Sequence, residues 1–364
     1  NNFLGSGRQV GFAVSRSSII SQVGISYTNP YYTDDGVSRG FFLRYTEFDQ
    51  GEANISSFST SQAAAGVSFG FPLTEIDFVR VGATAQRVDI NLPVSFVPTN
   101  PEDPDSPVIL ATPAERPLGI SLDQDKDGLI SGSERRVTSY VTDATWARDS
   151  RNHYLNPTRG SLNRLTTEFA LPGSTREYFK VSYRGRKYWP VGNSMAFSLK
   201  ADISYGDAYD NYDQKLALEP VEAERVAGQC QVDEIVTLDS GLPFYEHFFA
   251  GGVMDIRGFD DNSLGPKDRF CRSVGGDFKV SGGFELAFPI PFVEASGTRL
   301  SWFVDVGNVF SNYDTFDADL LRASTGLSVT WQAPIGPIII NLSQPLKKRA
   351  GDETQALQFS FGQV

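Results

Sequence analysis

The sequence has no run of about 18 apolar residues, so no helix of it is long and apolar enough to cross a membrane. That leaves membrane β-barrels open, because their strands carry an apolar residue only at every second position and keep mean hydropathy low. Histidine is almost absent. Only His153 and His247 occur, there is no G-x-S-x-G elbow or Walker loop, and no cysteine–histidine spacing suggests a nucleophile, so the chain is not expected to be an enzyme. Positive charge is in deficit, 32 Lys and Arg against 44 Asp and Glu, and the net charge of −12 argues against a nucleic-acid surface. Two cysteines, Cys230 and Cys271, do not make a disulfide scaffold. In an extracytoplasmic protein they are candidates to pair, the alternative being two free thiols. No secretory leader opens the chain, which reads as a mature or trimmed form.

What the chain has in abundance is short alternating runs, with 27 Phe, 14 Tyr and 34 Gly among 364 residues. Between Ala196 and Tyr205, Phe197, Leu199, Ala201 and Ile203 share one face and Ser198, Lys200, Asp202 and Ser204 the other. The same dyad recurs in Phe179, Val181 and Tyr183, in Trp302, Val304 and Val306, and in Leu357, Phe359 and Phe361. Fourteen strands are predicted, near 8–15, 18–29, 37–48, 57–71, 77–90, 137–149, 159–171, 177–189, 195–206, 278–289, 298–311, 322–333, 336–345 and 355–363. A soluble sandwich alternates too, so parity alone does not name the solvent. Connection lengths favour lipid. Short turns at Phe71–Glu75, Leu171–Ser174 and Ala333–Pro337 contrast with long loops at 93–136 and 207–277, and short turns on one rim with long loops on the other mark an outer-membrane barrel. Tyr188, Trp189, Trp146, Trp331 and Tyr205 suit interfacial girdles, the alternative for each being an ordinary packing residue. The fold class is therefore all-β, one transmembrane antiparallel β-barrel over 1–364.

Two stretches invite a chemical reading. Gly251 to Phe259 lies in the long irregular segment and presents Arg257 at a tight loop tip. An always-charged guanidinium with five donors needs carboxylate partners if it is buried, and Glu285 and Asp305 occupy the polar parity of downstream strands. The alternative is a solvated arginine with both acids facing water. The second stretch, Asp123 to Glu134, matches D-x-D-x-D-G-x5-E. Asp123, Asp125, Asp127, the Leu129 carbonyl, Ser131 and bidentate Glu134 are candidate ligands for a structural Ca²⁺, with Gly128 at the sharp turn. Prolines before it and a β-like run after it depart from an EF-hand, and an acidic solvated tip is the alternative.

Ile256-Arg257-Gly258-Phe259 resembles the (V/I)RG(F/Y) signature of the outer-membrane barrel-assembly family. Asn2 to Gly7, Thr28 to Tyr32 with Asp35-Gly36, Asn156 to Gly160, Asp305 to Gly307 and Gln344-Pro345 are similar to that family in order and spacing, so the resemblance runs nearly end to end. It implies a sixteen-stranded barrel, of which the first hairpin and the preceding POTRA repeats are missing here. It implies that Arg257 docks inside on Glu285 and Asp305. It also implies that the last strand, with Gln355, Leu357, Phe359, Phe361 and Gly362, pairs weakly with the first and opens as a seam that templates incoming strands. The implied location is the bacterial outer membrane. The implied partners are unfolded outer-membrane β-barrel proteins, outer-membrane lipids and, through the POTRA repeats, assembly-complex lipoproteins. No cofactor is required. A transporter of the same superfamily, secreting one polypeptide through its lumen, is the alternative. The loop 93–136 is not explained by the resemblance, and the chain ends in Val364 where such barrels usually end in an aromatic.

Overall fold

The computed structural model describes residues 7–17, 20–49, 59–91, 134–154, 156–192, 195–209, 241–267, 273–288, 298–333 and 336–361. The strands are β1 (Gln9–Arg16), β2 (Ile20–Asn29), β3 (Ser38–Asp49), β4 (Ser59–Pro72), β5 (Asp77–Asn91), β6 (Glu134–Asp149) and β7 (Gly160–Ala170). They continue as β8 (Tyr178–Val191), β9 (Met195–Ala208), β10 (Phe278–Phe288), β11 (Thr298–Phe310), β12 (Arg322–Ala333), β13 (Gly336–Lys347) and β14 (Leu357–Phe361). One sheet takes them in chain order, and each consecutive pair is antiparallel. Every strand between β1 and β14 therefore has a hydrogen-bonded neighbour on both sides, as a lipid-embedded strand must.

Which face is apolar decides the solvent. Phe12, Leu43, Leu199, Ile203, Trp302, Leu342, Leu357 and Phe359 all lie on the open outer face. Ser198, Ser204, Lys279, Ser281, Asp305, Ser324, Asn341 and Gln358, the residues between or opposite them, are buried on the inner one. A water-soluble sandwich would bury the first set. This inside-out alternation is that of a transmembrane barrel with a polar interior.

Counting strands sorts the connections into two rims. The links after β2, β4, β6, β8, β10 and β12 share one rim, and none is longer than about ten residues; 92–133 and 209–277 share the other. The turn at Leu171–Ser174 follows β7 and so lies on the long-loop rim, not with the short turns as its length suggests. Trp189 and Trp331 face outward near the short-turn rim. Tyr188, adjacent to Trp189, must point the opposite way, and it is buried inside rather than in a girdle. On the other rim the rings of Phe179, Tyr205 and Phe278 follow one another across β8, β9 and β10 at 5.8 and 6.4 Å.

Asp123, Asp125, Asp127, Leu129 and Ser131 lie outside the described residues, as do Cys230, Cys271 and Gly362. Glu134 is the first residue of β6, in register with Asn91.

Candidate functional site

Local sequence shapes the loop before any charge acts. Gly252 N donates to the Phe259 carbonyl at 3.1 Å and Asp255 N to the Gly252 carbonyl at 3.2 Å, which folds 252–259 into a closed turn. Ile256 and Phe259 are fully buried in one cluster with Ala250, Leu264 and Val309. These two side chains flank Arg257 and anchor the turn against the barrel wall. Gly258 has φ of +89°, the left-handed region that a residue with a Cβ enters at a cost.

The wall meets the loop by strand register. Glu285 on β10 pairs directly with Phe303 on β11, and Asp305 follows two residues later on the same inner face. Arg257 Nε donates to Asp305 Oδ2 at 2.7 Å and Nη2 to Asp305 Oδ1 at 3.0 Å, a bidentate fork. Nη1 donates to Glu285 Oε2 at 3.1 Å, and the Arg257 backbone N–H reaches Asp305 at 3.2 Å. The guanidinium carbon sits 3.5 Å above the centre of the Phe303 ring. Asp305 has no exposed surface. Its second cation is Lys200, whose Nζ is 2.9 Å from Oδ1 and also donates to the Asp255 carbonyl at 2.6 Å. Lys200, Gly283 and Asp305 stand in one row across β9, β10 and β11. A Cβ on Gly283 would come within 2.6 Å of the Asp305 carboxylate, so glycine there clears the space across which lysine meets aspartate.

The structure thus brings Ile256, Arg257, Gly258, Phe259, Glu285 and Asp305 together. Sequence reasoning missed a second anchor, Asp255. Its carboxylate takes Lys279 Nζ at 2.8 Å and Ser281 Oγ at 2.7 Å, both from β10. The available signal was parity, since Lys279 and Ser281 share the inner face with Glu285. Of the last-strand residues, Leu357, Phe359 and Phe361 face outward, and Gln355 lies before β14, where its N–H donates to the Gly258 carbonyl at 3.1 Å. Gln355 is therefore a loop contact and not part of the strand.

Nearer the long-loop rim, His247 is buried with its ring nitrogens 2.8 Å from the Val274 carbonyl and 3.1 Å from that of Leu242. Asp277, just before β10, is 3.4 Å from the same ring. Burial pushes the Asp277 carboxyl up to about 8, and burial pushes His247 down. A raised carboxyl favours the fold while it stays protonated, so its stabilisation is lost as pH rises from the ordinary carboxylate range through about 8. Amide exchange of 241–248, corrected for its intrinsic pH dependence, is expected to quicken between about pH 4 and 8 and to level off above; Asp277→Asn should remove that response.

A model described as the Omp85 superfamily domain matches residues 2–364. The chain belongs to the Omp85 superfamily. Across its whole length this Omp85 chain is 28% identical to the outer membrane protein assembly factor BamA of Neisseria meningitidis serogroup B, covering 44% of that protein. Over 60% of its length it is 25% identical to the sorting assembly machinery 50 kDa subunit of Saccharomyces cerevisiae, covering 41% of it. The chain thus spans less than half the length of these curated relatives. BamA from Haemophilus ducreyi lacking POTRA domains 1–3 shares the fold, with a TM-score of 0.76 at 24% identity, over 99% of this chain and 65% of that one. Family and architecture together place the Omp85 barrel in the bacterial outer membrane.

Proposed function

We propose that this barrel is the central element of machinery that folds and inserts other β-barrel proteins into the bacterial outer membrane. Substrate strands pair with the edge at the junction of the last and first strands, and apolar burial in lipid drives the remainder. No covalent step, nucleotide or cofactor takes part. The substrates are unfolded outer-membrane barrel proteins, the medium is outer-membrane lipid, and assembly lipoproteins act through POTRA repeats of the whole protein.

One observation carries this reading. Among the described residues the sheet runs from β1 to β14, and within it β14 pairs with β13 alone, from Ile338↔Phe361 to Leu342↔Leu357. A strand held by the sheet on one side is the element most easily exchanged for an incoming strand. The names of the Neisseria and Saccharomyces relatives, an assembly factor and a sorting assembly machinery subunit, support the same reading.

The test uses the full-length protein in liposomes, with a disulfide engineered between its first and last strands. Insertion of an unfolded test barrel is expected to stop in the oxidised protein and resume on reduction. Should the locked protein insert normally while Arg257→Ala blocks passage of a secreted polypeptide, the superfamily transporter is the better reading.

A further inference from the structure

β14 has a second partner besides β13. Outward of Leu357 the Ala356 carbonyl still accepts from Ser343 N at 2.8 Å, and there the chain leaves β13. Residues 353–355 turn to the Arg257 loop instead. Asp260 N donates to the Glu353 carbonyl at 3.1 Å, Gln355 N to the Gly258 carbonyl at 3.1 Å, and Phe259 and Thr354 form an antiparallel bridge between them. Within β14, Gln358 is the inward residue between outward Leu357 and Phe359, and only 1% of it is exposed. Its Oε1 accepts from Gly258 N at 2.9 Å and its Nε2 donates to the Phe259 carbonyl at 2.8 Å. One buried amide thereby meets both orientations of the loop's backbone, an N–H and a C=O one residue apart.

We infer that Gln358 is the positioning residue that ties the last strand to the docked loop, so that β14 is released from inside only when this amide contact breaks. The argument is one of satisfaction. With Gln358 replaced by an apolar side chain, Gly258 N–H loses its partner in a buried place. Among the described residues the Phe259 carbonyl keeps the Gly252 N–H alone. Asparagine is one methylene too short to reach both. Among the common side chains of this length, a protonated glutamic acid alone offers the same pair, a carbonyl to accept and an O–H to donate. Loop docking and strand release thus become one coupled equilibrium. This deepens the seam reading and rests on it for its consequence, while the tie itself is measurable without any assembly assay.

The experiment is hydrogen exchange on the full-length protein in lipid bilayers, followed in 256–260 and in 357–361, with β3 to β5 as internal reference. Gln358→Leu is expected to speed exchange in both segments by about tenfold, the loss of one to two hydrogen bonds, and to leave the reference strands unchanged. Gln358→Glu is expected to behave like Gln358→Leu at pH 8, where the carboxylate cannot donate to Phe259, and like the parent at about pH 4, where the acid can. Rescue by protonation is a response that mere loss of packing would not give, and it keeps the test open if Gln358→Leu folds poorly. Faster exchange in 357–361 with an unchanged loop would overturn the tie, and so would a Gln358→Glu variant indifferent to pH. If exchange shows the tie but a first-to-last-strand disulfide leaves insertion intact, the seam reading falls and the tie stands.

Discussion

Replacing Arg257 by alanine is expected to release the loop from the barrel wall at a cost of about 3 kcal/mol, the usual range for removing one partner of a buried ion pair. The expected size follows from what remains. Asp305 has no exposed surface and keeps Lys200 as its remaining cation, while Glu285 loses its direct partner in the loop. The bidentate fork and the stacking on Phe303 vanish together. In exchange terms, 252–260 should open about 100-fold more often in the full-length protein, since each 1.4 kcal/mol is a factor of ten. Arg257→Lys should recover little, because an ammonium cannot make the fork. Protection unchanged in Arg257→Ala would mean that Ile256 and Phe259 hold the turn alone.

Gly258→Val tests position with every charge left in place. At φ of +89° any L side chain is strained by about 1–2 kcal/mol. The new Cβ would also stand 3.2 Å from Ser343 Cβ and 3.5 Å from Ser324 Cβ, in a wall where overpacking costs about 1–3 kcal/mol. The expected outcome is a loop as open as in Arg257→Ala, with Gly258→Ala intermediate because it adds the strain with less bulk. If Gly258→Val inserts substrate normally and stays protected, close approach of the loop to β12 and β13 is not what the barrel needs.

The strands are legible because lipid on one face and a polar lumen on the other impose alternation along the crossing segments, interrupted in β12 by a register shift between Ala323 and Ser324. Predicted boundaries such as 77–90 and 322–333 fall within a residue of β5 and β12. Of the two roles open to Tyr188, packing holds and the girdle does not, since Trp189 beside it takes the opposite face. Leu171–Ser174 departs from expectation because the length of a turn does not say which rim it joins; only the number of crossings before it does. Arg257, Glu285 and Asp305 were nominated from charge and parity. Parity places Lys279 and Ser281 on the inner face, but spacing does not bring Asp255 to them, and the partners of Gln358 are backbone groups that only the loop's inward fold delivers.

The two anchors of the loop are opposite in sign. Arg257 and Asp255 leave together, and behind them on the wall stay Lys200, Lys279, Asp305 and Glu285, two cations and two anions. Undocking therefore carries away two anchor charges that cancel. A potential across the bilayer does work in proportion to the charge displaced, and this pair of anchors adds nothing to that work. The pairing is felt at contact distance, where each anchor finds its own partner on the wall.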